Sequence, residues 1–298
     1  MILLEPSNKI LEETLKECFN STEPEKIVMA ISDFDGVSYR LETTESKSIL
    51  VLSMAWKCYS ELATYGANDI IHREYGDYAT PPQSGFDVAL KFDLSKLPSD
   101  KDALIRKAAL LKRNALAAPF EQAFASQQAG KQSQLMVVHY REQEAIYVQA
   151  QPDRVTVIFS TMFKEDTDRI FGKVFLQEFV DARRQLNIQS APQVLYTYRE
   201  PPMELRGVKG LLDSESVGYV TFVLFPRHFA TPEAREKCVS LTELFRDYLH
   251  YHIKASKAYM HSRMRARVDT FLKVLNRAKP EQPGKDYKTA SGKSFKRG

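Results

Sequence analysis

Asp33 and Asp35 are the side chains of this 298-residue chain best placed for chemistry. Two carboxylates two positions apart, just after the apolar run Ile27-Val-Met-Ala-Ile31, could divide nucleophilic and acid/base work at a strand's end. Asp and Gly are equally natural turn residues, and the turn reading of Asp33-Phe-Asp35-Gly36-Val37 is favoured. The remaining candidates are weaker. His250 and His252 stand two apart, about 200° around a helix, and cannot chelate one metal as an i, i+4 pair can. Glu165, Asp166 and Asp168 open a helix, where acids complement the macrodipole; they lack the ligand spacing of a calcium loop. Gly292-Lys293-Ser294 ends like a phosphate-binding loop, but the pattern needs glycine where Tyr287 stands. No catalytic, cofactor-binding or metal-binding residue is assigned, and no cofactor is expected.

Asp33 to Val37 is also similar to the first motif of haloacid-dehalogenase-type phosphatases, in which the first aspartate attacks phosphorus and the second is the acid/base. Those enzymes continue into an α/β crossover. Here another strand-like run, Val37–Glu42, follows almost at once, which implies a hairpin or meander. No later lysine and paired-aspartate motifs accompany it. A phosphatase using Asp33 and Asp35 is kept only as an alternative.

The elements around these residues read as two copies of one α/β unit. Residues 5–19 look helical, followed by strand-like runs at Lys26–Asp33, Val37–Glu42 and Ser48–Trp56. Lys57–Tyr75 is a helix interrupted near Gly66, and a strand begins at Phe86. Ser99 can N-cap a helix from Asp100 that kinks or ends near Pro119. The polar stretch Ser126–Gln134 is the linker. Beyond it come strands at Leu135–Arg141, Ala145–Gln149 and Arg154–Phe163, a helix at Lys164–Leu186, and strands at Gln193–Tyr198 and Val217–Phe225. Gly85 and Gly218 each sit beside the strand that precedes a long helix. Short loops between strands favour antiparallel pairing. The expected class is α+β: two related α/β domains, each a mainly antiparallel sheet with flanking helices, and a long C-terminal helix. The expected boundaries are 1–128, 129–231, 232–279 for the helix and 280–298 for a polar basic tail.

The final helix is the most informative element. Thr231 N-caps it and Pro232 takes its first position. No further proline or glycine appears before Pro280. A continuous helix to Lys279 is about 70 Å long, a rod that a compact domain seldom hides. Leu249, Met260 and Phe271 are eleven residues apart, and so are Ile253, Met264 and Leu275. An eleven-residue repeat keeps an apolar stripe on one side of a nearly straight rod. Lys254, His261 and Arg265 fall roughly opposite. One face is expected to be buried against protein and another left free.

Charge follows the same division. Residues 250–298 carry 13 basic and 3 acidic side chains, although the whole chain has a net charge of only +4. A basic end on a mildly acidic body suggests an anionic partner there. Nucleic acid is a weak choice, because the aromatics repeat on the apolar side, whereas base stacking needs them exposed. Cys18, Cys58 and Cys238 form no CxxC and suggest reduced thiols in a cytosolic protein. The start is too quickly acidic for a signal peptide, and no run approaches the length of a membrane span.

Several segments resemble the family of 34 kDa subunits of the actin-related protein 2/3 complex. They are Val220-Thr-Phe-Val-Leu-Phe-Pro-Arg-His228, Phe245-Arg-Asp-Tyr-Leu-His-Tyr-His-Ile-Lys254 and Phe271-Leu-Lys-Val-Leu-Asn-Arg-Ala278. Supporting matches include Leu111-Lys-Arg-Asn114, Arg154-Val-Thr-Val157 and Arg199-Glu-Pro-Pro202. The resemblance implies a non-catalytic, cytoplasmic subunit on the actin cytoskeleton, in a complex that nucleates branched filaments. It implies that the long helix pairs with its counterpart on a 20 kDa subunit, and that the complex meets the side of a mother filament. On that reading Leu249, Ile253, Met260, Met264, Phe271 and Leu275 face the core and the partner subunit. Arg263, Arg265, Arg267, Lys273, Arg277 and Lys279 are the pool for filament contacts.

Overall fold

The computed structural model describes residues 4–23, 25–182, 185, 190–211, 215–277 and 287–295. The chain forms two compact units, Met1–Tyr251 and His252–Gly298. The first unit contains two five-stranded sheets of the same topology. One is built from β1 (Val28–Ser32), β2 (Ser38–Thr43), β3 (Ile49–Ala55), β4 (Ala79–Thr80) and β5 (Val88–Asp93), in the order β1-β2-β3-β5-β4. The other is built from β6 (Met136–Arg141), β7 (Glu144–Ala150), β8 (Val155–Met162), β9 (Gln193–Tyr198) and β10 (Val217–Leu224), in the order β6-β7-β8-β10-β9. Every neighbouring pair in both sheets is antiparallel. In each, a three-stranded meander leads to an edge strand, and the last strand then inserts between the two. The α+β expectation and the repeated order are both observed.

The helices are α1 (Lys9–Asn20), α2 (Tyr59–Thr64), α3 (Ala67–Tyr75), α4 (Lys101–Ala109), α5 (Leu111–Gln128), α6 (Asp166–Ala182) and α7 (Pro232–Arg277). α1 starts later than residue 5 because the Asn8 side chain accepts from Leu11 N and fixes the cap there. Gly66, at φ +98°, separates α2 from α3 as expected. Three expectations need correction. Asp100 rather than Ser99 caps α4: its carboxylate accepts from Ala103 N. The break falls at Leu110, and Pro119 lies inside α5. Twelve of the eighteen α5 residues are buried, and packing on that scale outweighs the roughly 3 kcal/mol that an interior proline costs. The same packing carries α5 through Gln128, into the stretch read as linker.

Gly85 and Gly218 are not equivalent. Gly85 has φ +91°, a conformation that favours glycine. Gly218 lies within β10, where an added Cβ would sit 2.9 Å from the Tyr196 ring. α5 packs against α2 and α3 and against β7 and β8, so it links helices of the first repeat to the sheet of the second. Phe124 of α5 stacks on Phe229 at 4.3 Å, just before α7. The Phe245 ring on α7 lies 4.6 Å from Phe222 of β10. In the second unit, α7 continues to Arg277, and β11 (Tyr287–Lys288) pairs with β12 (Ser294–Phe295) in the tail.

Candidate interaction surface

Asp33 and Asp35 occupy the turn of the β1–β2 hairpin, and no α/β crossover follows. The Asp33 carboxylate accepts from Asp35 N and Val37 N at 2.9 Å each, which closes the turn. Both aspartates then bind Lys112 near the start of α5, at 3.0 Å and 2.5 Å. The Lys112 ammonium also lies 5.8 Å from the Trp56 ring centroid. Arg141, at the end of β6, donates to the other Asp35 oxygen at 2.9 Å. Burial acts to raise the Asp35 pKa, but Lys112 and Arg141 outweigh it and hold the carboxyl below its ordinary value. An aspartate clamped between two cations is a structural link. Phe34 between them is the opposite case, with 89% of its surface exposed.

The second repeat makes the corresponding contact. Glu144, at the start of β7, is buried and accepts from Arg246 of α7 at 2.8 Å and from Met162 N at 3.0 Å. In each repeat a carboxylate at the first hairpin therefore grips a cation on the helix that follows the sheet. The Arg141–Asp35 pair ties the two arrangements together. Arg113 extends this seam: its guanidinium donates to Ser240 Oγ at 3.1 Å and to the Glu236 carbonyl at 2.9 Å. His250 Nε2 lies 4.0 Å from Glu144, but burial, and then Arg246, push its pKa down to about 4. It is therefore a neutral imidazole at pH 7 and not an ion-pair partner. The sequence reading missed Lys112, Arg141, Glu144 and Arg246, because nothing in their spacing announces a meeting between partners 77 to 106 residues apart.

The stripe on α7 divides in two. Leu249 and Ile253 are buried. Met260, Met264, Phe271 and Leu275 are 38%, 57%, 63% and 50% exposed. Tyr259, Val268, Leu272 and Val274 are exposed as well, so the apolar face is broader than the eleven-residue lines suggest. Val268 and Leu272 continue the i, i+4 row of Met260 and Met264, a signal that the eleven-residue count passed over.

Arg263, Arg265, Arg267, Lys273 and Arg277 are all exposed, and Lys279 lies outside the described residues. They do not share one face. At 100° per residue, Arg267 falls about 40° from the centre of the stripe and Arg263 about 80°, with Arg265 about 120° away on the other side, short of the opposite position expected for it. Lys273 falls about 160° away and Arg277 about 120°, in line with Tyr259 five turns earlier. Arg263 lies over the Tyr259 ring at 5.6 Å. Lys273 pairs with Asp269 at 2.7 Å, an exposed contact of little strength. Among the described residues, no helix is long and apolar enough to cross a membrane.

The family model for the Arp2/3 complex 34 kD subunit, p34-Arc, matches residues 52–282. A Schizosaccharomyces pombe protein named actin-related protein 2/3 complex subunit 2 is 48% identical, with 100% of both chains covered. A Dictyostelium discoideum protein of the same name is 39% identical over 99% of both. These similarities run through the paired sheets and α7 alike, and the chain belongs to the family of 34 kDa subunits of the actin-related protein 2/3 complex.

Proposed function

We propose that the chain is a non-catalytic structural subunit of the actin-related protein 2/3 complex, located in the cytoplasm on the actin cytoskeleton. Its α7 helix is the assembly element. The observation that carries this reading is the exposed apolar face from Tyr259 to Leu275, on a 46-residue helix in a chain whose relatives are named as subunits of that complex. Exposed faces of this kind mark protein contacts. Burying a side chain such as Met264 or Phe271 stabilises by about 1.5–3 kcal/mol. The proposed occupant is a helix of the 20 kDa subunit. Residues 1–128 and 129–231 are read as the duplicated α/β domains, 232–279 as the rod and 280–298 as its tail.

The angular positions sort the basic pool. Arg267 and Arg263 flank the apolar face, where a partner helix would place its own edge residues, and Arg265 lies further round at about 120°. Lys273 points away from that face and is the better filament candidate; Arg277 lies about 120° round and stays in the pool. The filament contact is charge-assisted and weakens with salt. Nothing favours nucleic-acid binding: the relatives of this chain are named as subunits of the actin-related protein 2/3 complex.

Met264→Asp tests the assembly reading. The variant should fold, since Met264 is exposed, yet fail to co-purify with another subunit of the complex. Normal co-purification would remove this face from the assembly interface.

A further inference from the structure

We propose that Glu243 is a proton-controlled latch: protonated, it lets the first part of α7 seat against α5 and the β1–β2 turn, and ionised, it loosens that seat. The Glu243 Oε2 atom is sealed from solvent and accepts no hydrogen bond. The side chain as a whole is half-buried; ionised, it keeps a charged oxygen away from water with no hydrogen bond to compensate it, and protonation removes that charge. The surroundings explain why the neighbouring cations do not rescue it. From α5, Lys112 and Arg113 act on Glu243, but Lys112 is already held by Asp33 and Asp35, and Arg113 by Glu236. From the β1–β2 turn, Asp35 opposes a second negative charge, and so does Asp247, one turn along α7. Tyr39 of β2 is buried beside them and stays neutral. Arg141 of β6 is held by Asp35, and Arg246 by Glu144 of β7. Burial foremost, with Asp35 and Asp247 adding to it, raises the Glu243 pKa to about 7.

The sign follows. A carboxyl whose folded pKa exceeds its unfolded value favours the seated state at low pH, and this advantage is lost as pH rises from about 4.5 through 7. His250 works the other way, because its folded pKa lies below its ordinary value and its contribution is lost on acidification. A raw pH profile would mix the two, so the latch is read as a ratio between wild type and Glu243→Gln, which keeps His250 in both.

The experiment is amide hydrogen exchange along residues 236–250 in the full chain within its complex, at pH 6 and pH 8, corrected for intrinsic rates. For a folded pKa of about 7, the ratio of wild-type to Glu243→Gln opening constants should rise about tenfold between the two pH values. A ratio that does not change with pH overturns the proposal. Asp247→Asn is the companion variant, since that carboxyl is also pushed up by burial and by Asp35. If Asp247→Asn removes the pH dependence and Glu243→Gln does not, the proton belongs to Asp247 and the assignment to Glu243 fails.

Discussion

Asp35 sits between Lys112 and Arg141 with little of its side chain exposed, so its charge is paired on both sides. Removing one member of a buried pair leaves the others uncompensated, which costs about 3–5 kcal/mol. Asp35→Asn should therefore lower the unfolding free energy by about 3 kcal/mol at pH 7 in a urea titration. The pH sign is opposite to that of Glu243. A carboxyl held below its ordinary value stabilises the fold above the ordinary carboxylate range, and that contribution is lost as pH falls through the folded pKa. The gap between wild type and Asp35→Asn should thus close on acidification. A gap that stays constant down to pH 3 would mean that Asp35 is not ionised in the native seam. The same preparations should lack phosphatase activity; an activity abolished by Asp33→Asn would return this pair of aspartates to catalysis.

At the scale of elements, close approach rather than propensity decides two positions. Gly218 lets the Tyr196 ring and Phe163 pack directly over β10, at 2.9 Å and 3.1 Å from where a Cβ would stand. Gly218→Ala should destabilise by about 1–3 kcal/mol, because two rings in a packed sheet must move. Thermal melting checks it, and an unchanged melting temperature would show that Tyr196 swings aside freely. Pro119 is the converse case. Local preference breaks the helix there, yet α5 runs through because it is buried against both helices and strands. Most strands were legible from alternation and β-branching. The two-residue β4 was not, since so short an edge strand exists only by pairing with β5.

At the scale of the whole chain, the basic excess and the apolar face occupy the same helix at different angles. Lys273 and Arg277 lie about 160° and 120° from the centre of the stripe, so the Lys273→Glu, Arg277→Glu double variant should assemble normally. Its complex should then bind filaments several-fold more weakly in cosedimentation, with a shallower salt dependence than wild type, because two charge-assisted contacts are gone. Binding unchanged in an assembled complex would strike both residues from the filament surface. Reversing Arg263 and Arg267 should act on co-purification instead, because those side chains border the apolar face.

The sequence by itself determined the duplicated order of elements, the start of α7 at Thr231 and Pro232, and the eleven-residue stripe, because each rests on short-range periodicity and capping chemistry. It also carried the family resemblance. Only the tertiary structure decided the fate of Asp33 and Asp35. A hairpin turn, a helix start and a strand end far apart in the chain converge there, and Lys112 and Arg141 pair with these carboxylates. It decided, too, that Leu249 and Ile253 are buried while Met260, Met264, Phe271 and Leu275 are exposed. Periodicity can say which residues share a line, but what covers that line depends on packing between distant segments.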